Sequence, residues 1–115
     1  MSSPFQAMLG SLMRLRGVSA TLLVDEHEGM IIDSMLQFGQ DGARVAALAA
    51  SLHRKARKSA EAAGLGEVAF MELEAADGRI CAAGRHDLVV VAVTSSSANI
   101  GLVRVELLKA ARGLA

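Results

Sequence analysis

The chain has no tryptophan and no tyrosine, and its only aromatic side chains are three phenylalanines. Any core must therefore be built from Leu, Val, Ile, Met and Ala. It has one cysteine, Cys81, so no intramolecular disulfide can form. That suits a reducing, cytoplasmic compartment. It has no excess of charge of either sign, because 12 basic residues balance 12 acidic ones. Bulk electrostatic attraction to nucleic acid is then not its main business. No run approaches the ~20 apolar residues of a membrane-spanning helix. The first basic residue is Arg14, so the start of the chain lacks the basic region of a secretory signal.

What is abundant is apolar aliphatic surface. At 115 residues the chain reads as one domain, 1–115, and 52% of its residues are apolar before its 11 glycines are counted. A chain of this size buries roughly two-thirds of its unfolded surface, enough for one core without staples. Surplus apolar surface on a small domain is commonly covered by a partner, so self-association is the expectation.

The elements follow from periodicity and punctuation. Ser3, Pro4 and Gln6 read as a helix start, with Ser3 as N-cap and Gln6 closing a capping box. Phe5, Met8, Leu9, Leu12 and Met13 then share a face, and Gly17 suits the position after the helix. Val18 to Val24 and Met30 to Leu36 read as a strand pair around the polar turn Asp25-Glu26-His27-Glu28-Gly29. Asp41 caps a long helix to about Ala63, with Val45, Leu48, Ala49, Leu52 and Ala56 as its core stripe; Gly64 and Gly66 end it. Val68 to Glu74 is a third strand, Ala76-Asp77-Gly78 a tight turn, and Arg79 to Ala83 a fourth strand. Leu88 to Val93 is six apolar residues without a break, which suits a strand buried on both faces. A serine, Ser97 or a neighbour, caps a last helix with inner face Ile100, Val103, Leu107 and Ala111.

The order is α-β-β-α-β-β-β-α. Hairpin-length connections make most strands antiparallel. The expected class is α/β in the α+β sense: a five-stranded, mostly antiparallel sheet. One long helix covers one face and the two terminal helices cover the other. The continuously apolar fifth strand belongs in the middle.

No catalytic constellation emerges. His27 lies in an acidic turn whose consecutive residues point in different directions, so it reads as solvated rather than as a metal site. His53 and His86 read as surface residues. Cys81 reads as a small buried hydrophobe. Ser95 to Ser97 lack the surroundings of a nucleophile elbow. No phosphate-cradling G-x-x-x-x-G-K-[ST] pattern occurs. The basic run His53-Arg54-Lys55-Ala56-Arg57-Lys58 lies late in the long helix, where cations complement the helix dipole, and no aromatics interleave with it. The chain therefore reads as a non-enzyme with no cofactor, no metal and no nucleic acid partner. A small-molecule sensor of profilin or PAS type is disfavoured, because few aromatics and alanine-rich packing leave little sign of a ligand cavity.

Two features point to assembly instead. Ala43, Ala46, Ala47 and Ala50 lie outside the expected core stripe of the long helix. They form a smooth face that another helix could approach closely, although alanine is also simply a good helix former. The third strand falls at a sheet edge, and an unprotected apolar edge invites pairing with another copy. Isologous pairing of two such edges would make one sheet of ten strands and bring the long helices together. The dimer interface expected on these grounds comprises Ala43, Ala46, Ala47 and Ala50 with Val68, Phe70 and Glu72.

The segments Gly17 to Ser34 (GVSATLLVDEHEGMIIDS), Ala47 to Leu52 (ALAASL) and Ser97 to Leu107 (SANIGLVRVEL) resemble the Roadblock (dynein light chain) family in its prokaryotic MglB-like branch. The resemblance spans about Phe5 to Ala111 and rests on fold pattern, not on catalytic motifs. It implies a homodimer joined through the third strand and second helix. It also implies a platform for a small Ras-like GTPase, whose own switch elements are repositioned so that hydrolysis is promoted without an arginine finger from this chain. On that resemblance, the partner-binding surface centres on the paired second helices, with Ala46, Ala50, His53, Arg54 and Arg57. The alternative is a structural adaptor that tethers larger complexes and leaves GTP hydrolysis unaffected.

Overall fold

A computed structural model of the chain describes residues 3–114. Among them lie α1 (Gln6–Met13), β1 (Val18–Asp25), β2 (Ile31–Leu36), α2 (Gly42–Ala62), β3 (Met71–Ala75), β4 (Gly78–Arg85), β5 (Leu88–Thr94) and α3 (Ile100–Arg112). The strands form one sheet in the order β2-β1-β5-β4-β3, and every pairing is antiparallel. The expected class, element order and central fifth strand are all present.

Both faces of β5 are covered. Its residues Val90 and Ala92 join Leu12, Leu23, Cys81, Val103 and Leu107 in a core beneath α1 and α3. Val89 and Val91 join Leu22, Val24, Ala46, Ala49 and Ala82 in a second core beneath α2. This two-sided burial is why the strand reads as an unbroken apolar run. Truncating a fully buried leucine such as Leu107 to alanine should cost about 2–5 kcal/mol.

The long helix carries the chain from one edge of the sheet to the other. Its 21 residues extend about 30 Å, more than the roughly 20 Å needed to cross five strands. Asp41 caps it by accepting a hydrogen bond from the Arg44 amide at 3.2 Å. At its far end the Gly64 amide donates to the Glu61 carbonyl and the Leu65 amide to the Ala60 carbonyl. That paired arrangement needs the positive φ of +73° found at Gly64.

Several local expectations are corrected. Ser3 and Gln6 do not form a capping box. Helix α1 begins at Gln6 with Phe5 as an N-cap that makes no side-chain bond. The Ser3 hydroxyl and the Gln6 amide instead converge on the Asp33 carboxylate of β2. Both groups act there as donors to an ionised acceptor, and such charge-assisted bonds are stronger than neutral ones. Gly17 is not next to the helix end, since Arg14 is the C-cap. It has a φ of +88°, and any Cβ there would fall 2.8 Å from that of Ala98. Helix α3 is capped by Asn99, whose side chain accepts from the Leu102 amide at 3.1 Å, not by a serine. Strand β3 starts at Met71 rather than Val68. Its pairing with β4 ends at Met71 opposite Ala82, although β4 runs on to Arg85.

Candidate functional site

Helix α2 rests on the sheet through Gly42, Ala46, Ala49, Ala50 and His53. The expected stripe of Val45, Leu48, Ala49, Leu52 and Ala56 is therefore correct at Ala49 and in part at Val45, which packs against the core beneath α2. The reason lies in the sheet. Strands β1 and β5 already present Leu22, Val24, Val89 and Val91 to this side, and close packing of such a layer leaves room for little more than methyl groups on the helix. The larger side chains are turned to the flank. Of the alanines assigned to a partner-facing surface, Ala46 and Ala50 are buried within their own chain at 0% and 1% exposure. Only Ala43 and Ala47 are exposed.

The flank so displaced is an apolar surface in its own right. At 3.6 residues per turn, Val45, Leu48, Leu52 and Ala56 line one side of α2. Leu48 is 43% exposed, and the other three are half-buried. Beside them the sheet is not covered by the helix. Val93, Ile80 and Leu73 stand opposite one another across β5, β4 and β3. Val93, Ile80 and Met71 pack only partly against the α2-side core. Leu73, on the edge strand, is 38% exposed. An apolar surface thus runs from the helix flank to an edge strand with no neighbour on its outer side.

The other expected interface residues lie elsewhere. Glu72 is paired with Cys81, on the opposite face of the sheet, and its carboxylate lies 3.5 Å from Arg79. Phe70 packs against the α1–α3 core, with the Arg104 guanidinium 5.5 Å from its ring centroid. Val68 lines a cleft at one end of the sheet.

The basic run of α2 is also divided. His53 is not a surface residue: it is 4% exposed. Its Nδ1 donates to Glu26 Oε2 at 2.5 Å. The Arg57 guanidinium donates to Glu26 Oε1 from two nitrogens, at 3.0 and 2.7 Å. Arg54 donates to the backbone carbonyls of Glu26 and His27 at 2.7 and 3.2 Å. The acidic turn is therefore only partly solvated. His27 and Glu28 are exposed, whereas Glu26 is 1% exposed. Burial alone would push the Glu26 carboxyl upward, but the bonds from Arg57 and His53 outweigh it and hold the group below its ordinary range. This cluster fastens α2 to the β1–β2 turn. The i,i+4 spacing of His53 and Arg57 was its only trace in the sequence. Among the described residues no group of three or more His, Cys, Asp or Glu is placed to hold a metal ion, and no helix is long and apolar enough to cross a membrane. The thiol of buried Cys81 is pushed up to about 11, chiefly by burial.

Comparison with known proteins bears on the whole arrangement. The Roadblock/LC7 domain family model matches residues 4–95. An uncharacterized protein of Methanocaldococcus jannaschii, MJ0310, is 25% identical over 104 residues, covering 90% of each chain. The crystal structure of a Roadblock/LC7 domain from Streptomyces avermitilis superposes with a TM-score of 0.86 at 14% identity, over 97% of this chain and 95% of that one. The structure of Myxococcus xanthus MglB superposes with a TM-score of 0.80 at 23% identity, over 96% and 93%.

Proposed function

The chain belongs to the Roadblock/LC7 domain family, and from that premise we propose that it is a homodimeric regulator or scaffold that engages a small Ras-like GTPase and modulates its nucleotide cycle. The observation that carries the reading is the apolar surface from Leu48 and Leu52 across Val93 and Ile80 to Leu73, ending at the open edge of β3. Two copies pairing antiparallel along β3 would join two five-stranded sheets into one of ten strands. Each α2 flank would then cover the other's exposed leucines. The side chains this reading places between the α2 flanks are Leu48, Leu52, Met71 and Leu73, in place of Ala46, Ala50 and Phe70, while Glu72 takes part through the β3 backbone.

The GTPase part of the proposal rests on the MglB-like resemblance. The chain would act without a catalytic group of its own, by presenting the solvent side of the paired α2 helices, including Ala43 and Ala47, to the partner. Arg54 and Arg57 contribute by fixing the β1–β2 turn beside that surface.

Two measurements test the reading in order. Sedimentation equilibrium should give a dimer for the native chain, and Leu48→Glu with Leu73→Glu should give a folded monomer. Affinity capture from cytosol with a GTP analogue or GDP should then enrich a small GTPase in the analogue sample alone, and added dimer should change its hydrolysis rate. A captured GTPase whose hydrolysis is unchanged would favour tethering over regulation. A monomeric native chain would overturn the dimer.

A further inference from the structure

Where β3 stops short of β4, a cleft of about 520 Å³ opens at the end of the sheet. Its walls come from α2, the chain before β3, the β4–β5 hairpin and the end of α3. Few aromatics and alanine-rich packing gave no sign of it. The sheet itself creates it, because residues 67–70 leave the β4 edge.

The lining is uneven in charge. Arg57, Arg85, Arg112, His53 and His86 contribute to it, against one carboxylate, Glu67. Arg57 is bound to Glu26 behind the wall. Arg85 donates only to the Arg112 backbone carbonyl, at 3.3 Å, and among the described residues neither Arg85 nor Arg112 meets a carboxylate. Val68, Leu108 and Ala111 supply an apolar side.

Two further observations mark this place. The ring of His53, 4% exposed, forms part of the lining, and its Nε2 has no hydrogen-bond partner among the described residues. Buried polar atoms are nearly always partnered, so such an orphan calls for an explanation. Its ring lies so near Gly84 that a Cβ there would fall 2.5 Å from Nε2. His86, in the hairpin turn, is the one non-glycine residue with positive φ among those described, at +58°. The two-residue turn between Arg85 and Leu88 calls for that conformation, which histidine accepts more readily than most side chains, and it sets His86 at the cleft.

We propose that this cleft binds a small organic anion, a carboxylate or phosphate on a compact apolar body. Arg85 and Arg112 grip its charge at the rim, the His53 ring forms part of the wall, and Leu108 and Ala111 hold its apolar part. Guanidinium forks match the paired oxygens of either anion, and the volume lies in the range of small-molecule sites. The inference does not depend on the dimer, since Arg85, Arg112, Leu108 and Ala111 lie apart from the Leu48–Leu73 surface.

The test is an NMR titration of the ¹⁵N-labelled full chain with phenyl phosphate and, separately, with benzoate. Each is compared with sodium chloride at matched ionic strength. Saturable shifts at the Gly84, His86 and Ala111 amides and at the His53 ring nitrogens are expected with at least one probe. A response to phenyl phosphate alone assigns a phosphate ligand, to benzoate alone a carboxylate; a response to both supports the shared chemistry. Loss of two charge-assisted contacts in Arg85→Ala with Arg112→Ala should weaken binding at least about tenfold. Arg44→Ala, at an exposed position paired with Asp41, should leave it unchanged. Absence of saturation with both probes, equal shifts with chloride, or undiminished binding by the double variant would overturn the proposal. Unchanged circular dichroism of that variant separates lost binding from lost folding.

Discussion

Glu26 and His53 meet across 27 positions of sequence through a 2.5 Å hydrogen bond from Nδ1 to Oε2, with both side chains almost wholly withdrawn from solvent. Arg57 completes the cluster from the next turn of α2. A carboxylate so buried persists only because each oxygen is matched by a donor.

Replacing Glu26 with Ala should therefore destabilise the chain by about 3–5 kcal/mol, the usual cost of leaving partners of a buried ion pair unmatched. Urea unfolding at pH 7 measures it. The pH dependence has a defined sign. The folded carboxyl titrates below its ordinary 4.5, so in that window the unfolded chain binds more protons. The native advantage over Glu26→Gln should be full above pH 4.5 and fade as pH falls below it. An advantage that grew on acidification would contradict the assignment.

Gly84 is held to its identity by the same cluster. A Cβ at this position would lie 2.5 Å from His53 Nε2 and 2.6 Å from Cε1, and the ring cannot retreat without losing Glu26. Gly84→Ala should cost about 1–3 kcal/mol by overpacking. In a His53→Ala background the same change should be nearly neutral, because the obstructing ring is gone. Thermal unfolding of the four proteins in this cycle reads the coupling directly.

Where the sequence was legible, the cause was a pattern with one physical meaning. Leu88 to Val93, a short unbroken apolar run between turn signals, suits a strand covered on both faces, and it lies at the centre of the sheet. Asp41 and Gly64 marked the ends of α2 through backbone chemistry local to them. The apolar pattern of α2 points to its larger residues, whereas the helix seats on the sheet through its alanines. Whether a helix buries leucine or alanine depends on how much of the space the opposite sheet has filled, and no helical pattern reports that. The Asp33 contacts of Ser3 and Gln6, the burial of Glu26 and His53, and the cleft beside β4 all depend on residues distant in sequence. Local propensity does not encode them.

Cys81 should be silent toward thiol reagents in the folded protein. It is fully buried, its thiol is pushed up to about 11, and only the thiolate attacks. Labelling should follow the global opening of the sheet, so its rate should rise with denaturant in step with unfolding. Fast labelling in native buffer would place β4 in a locally opening region.

The sharpest contrast on α2 is between Ala46 and Leu48, two residues apart and on opposite sides of the packing boundary. Ala46 has no exposed surface. Glutamate there would place a charge and four extra heavy atoms into the core beneath α2, so Ala46→Glu should lower stability by more than ~2 kcal/mol at any protein concentration. Leu48 is 43% exposed, and a surface substitution of this kind changes a folded subunit by only about 0.5 kcal/mol. If the flank of α2 is an interface, Leu48→Glu should act through concentration instead: the dimer dissociates, and the melting temperature loses its dependence on protein concentration. Paired melting and sedimentation series on the two variants separate these outcomes. A Leu48→Glu protein that stayed dimeric would remove this flank from the interface, whereas an Ala46→Glu protein with native stability would mean that α2 is not seated on the sheet through Ala46.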